Sequence, residues 1–260
     1  MIKRIKLFDF DFISEREVLP VVNYILNAES YEKDGHFPFL ITPNVDDIVK
    51  FSKDENKELR NYFLRSTYIL PDGQPIVWAS KLFFKQKIAR RLPGSDLLPL
   101  LLDQSKTKCK VLALISADNI ADALKESNPN VISYTLPFFD KNDTKTIDEI
   151  TRKCVNILLA NDIKIVIIGV SFPKQNILAI NIYNSLKARQ VERMPLFCML
   201  GASFEFYLGI KSRAPLYVQR MGLEWFHRFA KEPKRLFRRY FIEGMAFFPI
   251  LFKELKEKQV

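Results

Sequence analysis

Cysteine and histidine are scarce in this chain, with three of the first and two of the second. Cys109, Cys154 and Cys198 are odd in number and far apart. That pattern supports neither a disulfide framework nor a zinc site, and they read as buried free thiols of a reducing compartment. His36 and His227 have no partner at metal-ligand spacing, so no metal site is expected. Long apolar runs are missing too. The longest, 245–252, falls well short of the roughly 20 residues that a spanning helix requires. The basic N-terminus meets Asp9 and Asp11 before any apolar run, unlike a secretory leader. No internal repeat or low-complexity tract stands out. A cytosolic protein is expected, with attachment to a membrane face left open.

Positive charge is abundant. The formal net charge is +10, and it is concentrated in 211–239, where lysines and arginines face only Glu224 and Glu232. Such a block calls for an anionic partner: nucleic acid, phospholipid or a diphosphate. A solvated helix face is the plainer reading. The interleaved Trp225, Phe226, Phe229, Phe237 and Tyr240 argue against full solvation and suit a membrane interface or a base-stacking surface.

Periodicity predicts a first strand over 4–10, a helix over 15–26, a strand over 36–42 and helices over 45–51 and 55–65. A run ending at Leu70 feeds the turn Pro71-Asp72-Gly73, which opens a helix from Gln74 to Phe84. Ser95 is a candidate N-cap for a helix over 96–103. Strands at 110–115, 131–135, 163–170 and 196–200 then alternate with helices over 118–126, 145–161 and 174–188. The fold class is α/β: a Rossmann-like, doubly wound, mostly parallel sheet of about six strands with a C-terminal helical appendage. The core spans 1–205. The appendage, 206–260, consists of helices over 214–229 and 234–241, parted at Glu232-Pro233, and an apolar, lysine-flanked tail.

Ligands of open parallel sheets bind at the carboxyl ends of the strands. Polar residues fall at four such ends: Thr42 with Asn44, Asp72 with Gly73, Lys174 with Gln175, and Ser203 with Glu205. Each alone has a structural explanation, since Thr42 can end a strand and Lys174 and Gln175 can open a helix. Together they suggest a cleft. With no metal-ligand cluster, a reaction there has one carboxylate to move a proton and arginine forks to hold an anion.

These residues belong to a longer ordered set. Thr-Pro-Asn-Val at 42–45, Asp-Gly at 72–73, Arg-Leu-Pro-Gly-Ser-Asp at 91–96, Pro-Lys-Gln at 173–175 and Gly-Ala-Ser-Phe-Glu-Phe at 201–206 come first. Arg-Ala-Pro at 213–215, Gln-Arg-Met-Gly-Leu-Glu-Trp at 219–225 and Glu-Pro-Lys-Arg-Leu-Phe-Arg-Arg-Tyr at 232–240 follow. In order and spacing the set resembles the WecG/TagA/CpsF glycosyltransferases over roughly 40–241. The resemblance implies an inverting, metal-independent transfer from a UDP-sugar, without a cofactor, to a polyprenyl-diphosphate-linked saccharide. It implies Asp72 as general base, Thr42 as its polar neighbour, and Arg228, Arg235 and Arg238 as clamps on the diphosphate. Asn44, Gly73, Arg91, Gly94, Ser95, Asp96, Lys174, Gln175, Gly201, Ser203 and Glu205 would line the substrate. An anionic membrane surface is an implied partner, nucleic acid is not, and a homo-oligomer stays open. The rival reading is a non-catalytic basic module binding nucleic acid or anionic lipid through its C-terminal helices. The chain departs from the family pattern at Ser116-Ala117, Pro137-Phe138-Phe139, Asn176 and Glu205, positions that bear on specificity and activity.

Overall fold

A computed structural model of the chain describes residues 2–33, 35–210 and 212–258; the side chains of Leu216, Arg220 and Arg235 lie outside what is described. The strand predicted over 4–10 is a hairpin, β1 (Arg4–Leu7) paired antiparallel with β2 (Phe10–Ile13). Phe8 and Asp9 turn it at φ 54° and 65°. A two-residue hairpin of this hand needs both central residues in the left-handed region, usually signalled by Asn-Gly or Asp-Gly. Phe-Asp gives no such signal. Phe8 is held there by packing, 6.2 Å from the ring of Phe84 and 5.1 Å from that of Phe247.

Six further strands make the main sheet: β3 (Phe37–Ile41), β4 (Ser66–Ile69), β5 (Lys110–Ile115), β6 (Val131–Thr135), β7 (Ile163–Ile168) and β8 (Leu196–Met199). All pair parallel, in the order β4-β3-β8-β7-β5-β6. Alternate side chains enter opposite faces. Phe39, Ile41, Leu112, Leu114, Val166 and Ile168 pack against helices Val45–Ser52, Lys57–Phe63, Thr144–Ala160 and Lys174–Ala188. Leu40, Tyr68, Val111, Ala113, Ile165 and Cys198 pack against Val18–Leu26, Gly94–Ser105 and Asp118–Ser127. Both faces are thus covered, which is why these strands read as continuous apolar runs. The fold is the expected Rossmann-like α/β.

Several predicted boundaries move. The first helix begins at Val18 rather than 15. Ser95 is not the cap: the helix starts one residue earlier, at Gly94, behind Pro93, and Ser95 lies in its first turn. Strand β7 stops at Ile168; the Gly169 N–H still donates to the Leu114 carbonyl at 2.8 Å, and the glycine lies against the ring of Phe204, where a Cβ would meet it at 2.6 Å. The helix predicted over 214–229 is two helices, Leu216–Arg220 and Glu224–Lys231, broken at Gly222 with φ 75°. Proline opens the next, Pro233–Phe237, which runs into a π-helical turn, Arg238–Glu243.

The last helix, Phe247–Lys258, returns to the core. Phe247 and Leu251 are buried in the same apolar cluster as the hairpin and the Val45–Ser52 helix. At these two positions the apolar, lysine-flanked tail takes its hydrophobic gain inside the protein. Phe248 and Phe252 remain exposed.

Candidate active site

The carboxyl ends of β4, β3, β8 and β7 enclose a cleft of about 260 Å³. Backbone bonds carry the β3–β4 pairing past the strand ends: the Leu70 N–H donates to the Ile41 carbonyl at 2.9 Å, and the Asp72 N–H to the Pro43 carbonyl at 3.1 Å. These place Asp72 opposite Thr42 and Asn44. Gly73 allows the close approach, since a Cβ there would meet the Asn44 Cα at 3.3 Å. Gly94 does the same one layer back, where a Cβ would press on the Ser203 Oγ at 3.1 Å and the Thr42 Oγ1 at 3.3 Å.

Of the residues singled out from sequence, Thr42, Asn44, Asp72, Ser95, Gln175, Gly201, Ser203 and Arg228 line this cleft. Some are already engaged. The Asn44 Oδ1 accepts from the Asp46 N–H at 2.8 Å while the Asp47 Oδ2 accepts from the Asn44 N–H at 3.0 Å, a capping box on the Val45–Ser52 helix. The Ser203 hydroxyl donates to the Leu200 carbonyl at 2.6 Å. The Gln175 Oε1 accepts from the Gly201 N–H at 3.1 Å, tying the β7 end to the β8 end.

Others stand off the cleft. Gly73 and Gly94 shape it from behind. Arg91 and Asp96 belong to an ion cluster described below. Lys174 lies over the rings of Phe138 and Phe139, at 4.7 and 5.1 Å. Glu205 is on the short Ser203–Tyr207 helix and does not line the cleft. The Arg238 side chain is 78% exposed and pairs with Glu243 at 3.0 Å. Arg235, a predicted clamp, is outside the described side chains. Ser116-Ala117 and Pro137–Phe139 follow β5 and β6, away from the lining; among the departures only Asn176 contributes to it.

The cleft also holds residues that sequence reasoning did not assign to it. Asp46, Asp47 and Lys50 form one wall with Arg239, and the Asp46 Oδ2 pairs with Lys50 at 2.8 Å and Arg239 at 2.9 Å. Asp46 and Asp47 read in sequence as partners of the helix dipole, which they also are. Burial pushes the Asp47 carboxyl up to about 6, against the pull of the Asn44 N–H. The Asn176 Oδ1, on a residue 2% exposed, has no hydrogen-bond partner among the described residues.

A buried ion cluster sits beside Asp72. Glu224, 2% exposed, pairs through Oε2 with Arg91 and through Oε1 with Arg228, at 2.5 Å for the latter. Arg213 reaches toward the same carboxylate at 3.8 Å and pairs with Asp96 at 2.6 Å. Burial opposes ionisation of Glu224, but Arg228 and Arg91 outweigh it and hold the carboxyl at about 2. Asp72 itself is raised above the usual carboxylate range by burial, with Arg91 and then Arg228 opposing, and Glu224 and Asp96 adding to the rise. The Arg228 guanidinium stacks over the Phe206 ring at 4.9 Å. The cleft therefore offers two carboxyls whose proton affinity is raised, Asp72 and Asp47, with hydroxyl and amide groups and the cations Lys50, Arg228 and Arg239 on its wall.

A larger depression, about 1130 Å³, opens at the opposite ends of β5, β7 and β8, around Lys110, Ile163 and Pro195. It lies away from every strand end that carries the polar turns.

Over residues 7–260 the sequence matches the Glycosyl transferase WecG/TagA/CpsF family. It is 27% identical over 227 residues to a protein of Bacillus spizizenii named N-acetylglucosaminyldiphosphoundecaprenol N-acetyl-beta-D-mannosaminyltransferase. That similarity covers 86% of this chain and 82% of the relative. A match over nearly the whole length places the chain in the WecG/TagA/CpsF family of glycosyltransferases.

Proposed function

We propose that this glycosyltransferase moves an N-acetylmannosamine-type sugar, with inversion, from a UDP donor to a hydroxyl of an undecaprenyl-diphosphate-linked N-acetylglucosamine. The single observation that carries the mechanism is that Asp72 and Arg228 line one cleft. Asp72 takes the proton of the attacking hydroxyl as its oxygen bonds to the anomeric carbon. The bond from that carbon to the diphosphate oxygen breaks, and the electron pair leaves with UDP. Negative charge then grows where an arginine fork stabilises it best. The relative's name supports the acceptor and sugar class, and Arg228 on the cleft wall supports a clamp that works without a metal. Membership of a glycosyltransferase family displaces the non-catalytic alternative.

The acceptor's lipid implies a docking face. Exposed Phe237, Phe241, Ile242, Phe248 and Phe252 share the C-terminal helices with basic side chains, and Leu82 and Phe83 are exposed beside Lys81 and Lys85. No helix among the described residues is long and apolar enough to cross a membrane. Apolar side chains among lysines and arginines suit reversible attachment to an anionic bilayer.

The test is a panel of UDP-sugars incubated with a prenyl-diphosphate N-acetylglucosamine acceptor, with and without EDTA. UDP-N-acetylmannosamine should be consumed at the same rate in both, and Asp72→Asn should slow turnover by about 10²–10⁴-fold. Loss on chelation with rescue by Mg²⁺ refutes the arginine clamp. Near-normal turnover of the variant removes Asp72 from its role.

A further inference from the structure

We propose that Glu224 is a positioning residue that couples the seating of the C-terminal helices to the proton affinity of the base. The idea rests on the reading of Asp72 above, and on geometry independent of it. Glu224 stands on the Glu224–Lys231 helix, yet one carboxylate oxygen is given to Arg91, which precedes the Gly94–Ser105 helix of the core. The other is given to Arg228, one turn along its own helix and on the cleft wall. One buried anion thus holds both arginines whose charge acts on Asp72, one from each side of the boundary between core and C-terminal helices.

A merely structural pair at that boundary has no need of this choice of partners. Burying a carboxylate is costly unless it is well paired, and Arg213 with Asp96 already spans the same boundary at 2.6 Å. Glu224 does something Arg213 does not. It holds Arg228, whose guanidinium lies over the Phe206 ring, before substrate arrives, so the rotamer freedom of a long side chain is not lost at the moment of transfer. It also offsets part of the positive charge around Asp72, leaving the carboxylate more basic than two bare arginines would.

The groups facing Asp72 are Arg91, Arg228, Glu224 and Asp96; those facing Glu224 are Arg91, Arg228 and Arg213. The signs follow. Removing the charge of Glu224 alone leaves the arginines unopposed, so Asp72 should titrate at lower pH. Removing Arg91 as well takes away the strongest cation on Asp72, so it should titrate at higher pH than in the wild type.

The experiment follows the carboxyl ¹³C signal of Asp72, assigned with Asp72→Asn, in the free full-length protein. The variants are Glu224→Gln, Glu224→Gln with Arg91→Gln, and Glu224→Asp. Opposite displacements in the first two are expected. In the transfer assay Glu224→Gln should lower kcat about 10²-fold, more than it raises the donor KM, with partial recovery in Glu224→Asp. Titration at one pH throughout, or an unchanged kcat in Glu224→Gln, overturns the proposal. Should Glu224→Gln fail to fold, the double variant, which has one unpaired buried arginine fewer, decides alone: no upward displacement refutes the coupling. If the transferase reading were wrong, wild type would show no turnover while the titration displacements persisted, so the two failures are distinct.

Discussion

For Asp72, the raised proton affinity that its proposed role uses comes at the expense of the fold. Its pKa is raised, chiefly by burial, so the folded state binds its proton more tightly than the unfolded chain does. Its contribution to stability is therefore most favourable when protonated and declines as pH rises from the unfolded value, about 3.9, through the folded one. Asp72→Asn removes that ionisation, and at neutral pH the variant should melt at a higher temperature than the wild type while being far slower. Calorimetric scans at pH 4 and pH 7.5 check this: the gain should be confined to the higher pH. Glu224 has the reverse sign. Held at about 2, it stabilises the fold above its unfolded pKa of about 4.3, and that part is lost as pH falls from there towards 2.

At the scale of elements, the break between the Leu216–Arg220 and Glu224–Lys231 helices decides where Glu224 and Arg228 point. Gly222 stands at φ 75°, and a Cβ there would meet the Gln74 side chain at 2.9 Å. Any other residue pays for a left-handed conformation, about 1 kcal/mol or more, and must also displace Gln74. Gly222→Ala should lower stability by that order. It should also lower transfer more than the stability loss alone explains, because a straightened helix swings Glu224 away from Arg91. Urea titrations and initial rates on the same preparation check both. The sequence supplies a glycine and no hydrophobic discontinuity at this point, so helical periodicity runs straight across the break.

For the molecule as a whole, the C-terminal helix has two faces with separate consequences. Phe247 is 6% exposed and packs against Phe8, so Phe247→Ala should cost about 3–5 kcal/mol, read by denaturant unfolding. Phe248, Phe252 and Leu82 are exposed, at 48%, 60% and 74%. Replacing all three by glutamate should leave the melting temperature within a few degrees and abolish flotation with anionic vesicles. Retained flotation would move the docking face elsewhere.

The strands were legible from the chain alone, because a parallel sheet covered on both faces writes itself as short runs such as Ile163–Ile168. So were the polar turns after β3, β4, β7 and β8, and, through the ordered motifs, the family. The hairpin turn at Phe8-Asp9 was not, since its left-handed backbone is imposed by Phe84 and Phe247 from distant parts of the chain. Nor were the separate placements of Arg228 on the cleft wall and Arg238 in solvent, or the burial of Phe247 and Leu251. A local pattern reports the period of an element and the chemistry of its ends. Which face of the last helices meets the core, and which arginine meets Glu224, depends on contacts among residues more than a hundred positions apart, as Arg91 with Glu224 is. Only the folded chain brings those together.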